Sequence, residues 1–143
     1  MPKVSVTADA AAEPQKVWQL VVDLPRLPEW NTMHEGFTGE VPSTLETGTT
    51  YRQRAKLMGM PAEISWRVAD AIPGERLELT GDGPMGVKAK TRWAIAPSEQ
   101  GSQITYEMEF AGPALAGPMA IMLEKQAGAA AQQSLAKFTS LIS

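Results

Sequence analysis

The chain has 143 residues, long enough for one domain with a substantial core, and 43% of them are hydrophobic, an ordinary share for a globular protein. It contains no cysteine, which excludes disulfides and thiolate chemistry and fits a reducing cytoplasm. A formal charge of −3, with basic and acidic residues interleaved, offers no broad basic field for nucleic acid.

Val4 and Val6 alternate with polar neighbours and predict a strand within the opening residues, where a signal peptide would need an apolar core. No apolar run approaches the ~20 residues of a membrane-crossing helix, so no stable membrane insertion is expected. Glu13-Pro14 opens a helix, because proline in the first turn gives up an N–H that has no intrahelical partner. Val17, Trp18, Leu20 and Val21 form its buried stripe, and Pro25 and Pro28 break it, so a second short piece ends near Trp30.

A series of strands follows, separated by turn signals. They are Gly36 to Val41, one that Gly48-Thr49-Thr50-Tyr51 starts and that runs to about Lys56, Ala62 to Ala71, Glu75 to Thr80, Val87 to Ala96 and Gln103 to Phe110. Met58 to Pro61 is expected as the turn between the second and third of these. Connections this short imply an antiparallel meander with one apolar face. Ile64, Trp66 and Val68, then Leu77 and Leu79, then Thr91, Trp93 and Ile95, then Ile104, Tyr106, Met108 and Phe110 point inward by alternation. The opposite face carries Arg52, Arg54, Lys56, Glu63, Arg67, Lys88, Lys90, Arg92, Glu107 and Glu109, read as a solvated surface with cross-strand pairs.

From Pro118 to Leu141 the pattern is helical, and at ~1.5 Å per residue that helix reaches about 36 Å. Its expected inward stripe is Met119, Met122, Leu123, Ala127, Ala130, Leu135, Phe138 and Ile142, bulky at both ends and small in the middle. The small centre either permits close packing on the sheet or leaves room for a guest.

Strand, bent helix pair, six-strand meander and long terminal helix, in that order, resemble the Bet v 1/START-like (SRPBCC) superfamily. This group is also called polyketide cyclase/dehydrase and lipid transport. Val17-Trp18, Asp23 and Leu27-Pro28-Glu29-Trp30 look like its entry motif. Gly59-Met60-Pro61, Gly81 through Lys88, Gly112-Pro113-Ala114-Leu115 and Ser134 through Phe138 are similar to a narrower actinobacterial subfamily, as is Leu45-Glu46-Thr47-Gly48-Thr49. Members of that subfamily are commonly labelled as toxins of a mycobacterial toxin–antitoxin pair. The resemblance spans residues 1–143 as a single domain. It implies an α+β helix-grip fold, a curved seven-stranded antiparallel sheet around the long C-terminal helix, with two short helices after the first strand. A hydrophobic pocket between sheet and helix is implied with it.

Tools for chemistry are few. His34 is the only histidine, and without cysteine or a second histidine at helical spacing no metal site and no cofactor is expected. Gly81-Asp82-Gly83-Pro84 joins two strands instead of feeding a helix, so it reads as a tight turn and not a phosphate cradle. There is no Gly-x-Ser-x-Gly elbow. Tyr51, Tyr106 and His34 remain as weak catalytic candidates of a cyclase or aromatase.

The binding candidates are richer. Trp30, Trp66 and Trp93 are expected as pocket walls, with Tyr51, Gln53, Thr91 and Tyr106 as orienting polar groups. Met33, Met119, Met122, Leu123 and Ala127 complete the expected lining, since flexible methionines suit varied apolar ligands. Three functions follow. They are non-enzymatic binding of a hydrophobic small molecule or lipid, a growth-inhibiting toxin held by a small antitoxin protein, and a polyketide cyclase-like enzyme.

Overall fold

A computed structural model describes residues 3–57, 59–113 and 115–142. The chain runs through β1 (Lys3–Ala10), α1 (Pro14–Val21), a 3₁₀ segment (Leu24–Glu29), β2 (His34–Thr38), β3 (Thr50–Leu57) and β4 (Met60–Ile72). It continues through β5 (Arg76–Asp82), a 3₁₀ turn (Pro84–Gly86), β6 (Lys88–Ser98), β7 (Gly101–Ala111) and α2 (Pro118–Ile142). The strands form one antiparallel sheet in the order β1-β7-β6-β5-β4-β3-β2, so a meander is completed by β1 returning beside β7.

The helix breaks where the prolines demand it. α1 stops at Val21, and the following 3₁₀ segment carries Pro25 and Pro28, whose missing N–H groups cannot serve an α-helical ladder. Leu24 and Leu27 turn inward and Trp30 follows, only 3% exposed.

Two boundaries differ from the sequence expectation. The weak strand forms at His34–Thr38 instead of Gly36–Val41, and Val41 lies exposed beyond it. Met60 and Pro61 belong to β4 and not to the turn, whose Met58 lies outside the described residues. β4 has no β5 partner before Ser65, so Pro61 sits where one strand edge is open and its missing N–H is not required.

The terminal helix keeps most of the expected stripe and departs from it in its first turn and at Ala130. Leu123, Ala127, Ala131, Ser134, Leu135, Phe138 and Ile142 are buried. Met119 and Met122 are 45% and 50% exposed, and Ala130 is only half-buried. Gly128 lies beside Val4, near the start of β1, so the turns before Leu123 run past the end of the strand that α2 rests on. A Cβ on Gly128 would touch both Val4 methyl groups at 4.0 Å. The small centre of α2 therefore seats the helix on β1, and close packing is what it provides.

On the outer face, Arg92 lies between Glu78 of β5 at 3.5 Å and Glu107 of β7 at 3.8 Å. Arg54 stands opposite Glu63 and Lys90 opposite Glu109 in the strand register. Asp82 pairs with Lys88 across the turn, where turn chemistry alone had been expected of it. These exposed pairs contribute about 0–1 kcal/mol each.

Candidate functional site

Beneath the broken helix lies a cavity of about 70 Å³. Its floor is the inward face of the sheet: Tyr51, Gln53 and Ala55 from β3, Ile64 and Trp66 from β4, Leu77 and Leu79 from β5, Thr91 and Trp93 from β6, and Tyr106, Met108 and Phe110 from β7. The cover is Val21, Leu24, Leu27, Trp30, Asn31 and Met33, with Leu45 from the β2–β3 connection. Two-residue alternation brings the strand residues to one side, and the prolines bend the cover across them. None of these nineteen residues carries a formal charge.

Aromatic contacts fix one wall. Trp93 stacks on Tyr106 with centroids 4.3 Å apart, and Trp30 meets Trp93 edge-on at 5.3 Å. Phe138 of α2 touches both indoles, at 5.1 Å from Trp30 and 5.0 Å from Trp93. Such pairs contribute about 0.5–1.5 kcal/mol each beyond their buried area. Gly81 makes room for another wall residue. A Cβ there would lie 2.7 Å from both Ile64 Cγ2 and Trp66 Cε3, so the Trp66 ring occupies the space a side chain would take.

A second fixed element is a hydrogen-bonded chain. Trp66 Nε1–H donates to Gln53 Oε1 at 2.8 Å, and the Gln53 amide nitrogen donates to His34 Nδ1 at 2.8 Å. The order leaves one consistent state for His34. Its Nδ1 must offer a lone pair, because the Trp66 N–H fixes the Gln53 oxygen on its own side and turns the amide nitrogen, a donor only, toward His34. Partial burial lowers the pKa of His34 from 6.5 in the same direction. Burial likewise raises the hydroxyl pKa of Tyr51 and Tyr106, so both stay protonated. Tyr106 donates weakly to Met108 Sδ at 3.5 Å. Trp30 Nε1–H is buried with no hydrogen-bond acceptor among the described residues.

The cover is tied to α2 at its far end. Thr32 N–H donates to Ser134 Oγ at 3.0 Å, and the Thr32 hydroxyl lies 3.2 Å from the same oxygen and 3.3 Å from the Ala130 carbonyl. Ser134 is fully buried. Sequence reasoning placed this residue in a subfamily-like segment, Ser134 through Phe138, but gave it no part in the site.

The structure brings Trp30, Met33, Tyr51, Gln53, Trp66, Thr91, Trp93 and Tyr106 together around the cavity. Four of the expected lining residues lie elsewhere. Met119 and Met122 are exposed because the first turns of α2 overrun β1. Leu123 and Ala127 are buried but do not line the cavity, and Leu123 borders a separate apolar groove instead. That groove, of about 160 Å³, is also lined by Met60, Met85, Val87 and Leu115. His34 stands behind Gln53 and does not line the cavity. Among the described residues no group of three His, Asp or Glu side chains could hold a metal ion, and no helix is long and apolar enough to cross a membrane.

Seven antiparallel strands curled around one long helix, with a hollow under a broken helical cover, define a helix-grip protein. The chain belongs to the polyketide cyclase/dehydrase and lipid-transport family, whose model matches residues 1–142. It is 34% identical over 141 residues to a Mycobacterium tuberculosis protein named "Toxin Rv0910", covering 99% of this chain and 98% of that one. A second protein of that organism, named as uncharacterized protein Rv1546, is 32% identical over 141 residues, covering 99% of each chain. Among solved structures, a START superfamily protein from Mycobacterium smegmatis matches with a TM-score of 0.73 at 20% identity, covering 98% of this chain and 96% of that chain. TTHA0849 from Thermus thermophilus matches with a TM-score of 0.78 at 16% identity, covering 99% and 97%.

Proposed function

We propose that the protein binds a hydrophobic small molecule or lipid in the cavity under Val21–Met33 and does not transform it. The observation that carries this reading is an uncharged lining of aliphatic and aromatic side chains with a few polar groups at fixed places. The volume of about 70 Å³ is well below the roughly 300 Å³ of an ordinary ligand site. Uptake therefore requires the cover to move, and the 3₁₀ segment, in which Pro25 and Pro28 offer no N–H to hold it, is the part suited to yield. Native mass spectrometry after mild extraction tests the reading, with an apolar molecule expected to accompany the protein. A chain that neither carries nor takes up such a molecule would sink it.

A toxin role is the second reading, supported by the name of the 34% identical relative. Exposed Met60, Met85, Met119, Ile121 and Met122 supply apolar surface of the kind a small antitoxin would cover. Expression without any neighbouring small open reading frame should then arrest growth, and normal growth would exclude the role. A cyclase-like reaction is the third reading, supported by Tyr51 and Tyr106 on the cavity wall. Replacing both by Phe should abolish turnover with the fold intact.

A further inference from the structure

Two side-chain ties flank Met33, the last residue of the cover. On one side Thr32 is held by Ser134 and the Ala130 carbonyl of α2, through groups that do not ionise. On the other, His34 opens β2 and is joined through Gln53 of β3 to Trp66 of β4 by two hydrogen bonds of 2.8 Å. Gln53 and Trp66 line the cavity, so the second tie runs from the end of the cover into the wall. It holds in one protonation state only. Neutral His34 offers Nδ1 to the Gln53 amide N–H, which leaves the Gln53 oxygen for Trp66. A proton on Nδ1 sets two donors against each other. If Gln53 turns its oxygen to the imidazolium, the Trp66 N–H faces the amide nitrogen. If His34 swings toward water instead, the Gln53 N–H loses its acceptor. Either response breaks a link, because an imidazolium accepts no hydrogen bond on either ring nitrogen.

Imidazole is the side chain that titrates between about pH 5 and about pH 8, and the neighbouring charges leave this one to itself. Arg54 and Lys56 flank Ala55, the β3 partner of His34, and alternation turns both to the outer face. Glu35, next to His34 on β2, is exposed. Arg26 and Glu29 of the 3₁₀ segment pair with each other at 2.9 Å. From α2, the uncharged Gln126, Ala130 and Gln133 reach the Thr32–Met33 side. The ring beside His34 is that of Phe37, with centroids 4.6 Å apart. Burial, and no charged neighbour, lowers the His34 pKa.

We propose that His34 is an acid-sensitive latch on the cavity: a proton at Nδ1 uncouples the end of the cover from the Trp66 wall, so that an apolar guest enters and leaves faster in mild acid than at neutral pH. The latch rests on the binding reading given above and adds a means of control to it.

The probe is N-phenyl-1-naphthylamine, apolar and uncharged over this range, whose fluorescence rises in an apolar site. Its release from the intact protein is followed by stopped flow between about pH 5 and about pH 8. Release should quicken roughly ten-fold toward the acid end, the worth of one buried hydrogen bond. The midpoint should coincide with the NMR titration of the His34 ring protons. In His34→Gln, which has no imidazole to protonate, release should not vary with pH. The Trp66 indole N–H resonance, assigned by its loss in Trp66→Phe, should shift with the His34 midpoint in the natural protein without probe. That reading needs neither a guest nor a folded His34→Gln. A release rate that ignores pH, or that changes equally in His34→Gln, would overturn the latch and leave cavity binding standing. So would a Trp66 resonance that stays still while His34 titrates. A probe that binds at no pH would overturn the cavity reading itself, and the latch with it.

Discussion

Gln53→Leu is the sharpest test of how the site is held together. Leucine keeps most of the volume and removes both polar ends, so the two 2.8 Å hydrogen bonds to Trp66 and His34 are lost together. His34 is half-buried and recovers some hydration, whereas the Trp66 indole is buried and its N–H is left without a partner. The loss should be about 2–3 kcal/mol, most of it from the Trp66 side. For a chain of this length that corresponds to a fall in Tm of roughly 6–10 °C. Urea denaturation measures it directly, and a double-mutant cycle with Trp66→Phe isolates the pair. Removing both partners is cheaper than removing one, so the cycle should return a coupling of about 1 kcal/mol or more. Additive effects would refute the hydrogen-bonded chain. The same variant has a second readout, because His34 is the sole histidine and its NMR titration is unambiguous. Its midpoint in the natural protein should lie below 6.5 and rise toward that value in Gln53→Leu. A midpoint at or above 6.5 in the natural protein would contradict the burial of His34, and one that does not rise in Gln53→Leu would contradict the donor order deduced for Gln53.

Stability should also depend on pH through His34. Its folded pKa lies below the unfolded value of 6.5, so the unfolded chain takes up the proton first. The contribution is complete above pH 6.5 and is lost as the pH falls through the folded value, and His34→Gln should flatten the denaturation midpoint over that window. Ser134→Ala should cost about 1–2 kcal/mol by leaving Thr32 N–H without its buried acceptor, and hydrogen exchange should quicken from Trp30 to Met33. Gly81→Ala should destabilise by about 1–3 kcal/mol through overpacking against Ile64 and Trp66, with a smaller cavity in a crystal structure. Met122→Ser should leave stability within about 0.5 kcal/mol, whereas Leu123→Ala should cost about 2–5 kcal/mol; equal costs in thermal melts would show that α2 is rotated differently.

The sheet was legible because its signal is strong and local. Inward Trp66, Tyr106, Tyr51, Gln53 and Thr91 alternate with charged or polar residues, Trp93 continues their face, and a period of two admits only one facing. The bent cover was legible from Pro25 and Pro28, which have no other physical reading between two helical stretches. The exposure of Met119 and Met122 at the start of α2 was not. Ala127 to Ala131 give almost no contrast between one face and the next, so the methionines at 119 and 122 drew the stripe toward themselves. Nor could pattern alone reveal contacts between distant residues. Thr32 and Ser134 are 102 positions apart, and His34 meets Gln53 across an irregular β2–β3 pairing with a register shift after His34. Both depend on how far the sheet curls, which no local periodicity encodes.

Pairing of β1 with β7 has a consequence for biosynthesis. The strands from β2 to β7 can zip as hairpins while they emerge, each meeting a neighbour made moments before. β1 cannot. Its partners run from Ser102 to Glu109, and the helix that covers it begins only at Pro118. At about 5–20 residues per second of translation, that strand waits for roughly 5–20 s beside an unfinished sheet. Val4 and Ala10, which end fully packed, spend that interval in solvent. Slow, late closure is the cost of a topology that joins β1 to β7 and α2.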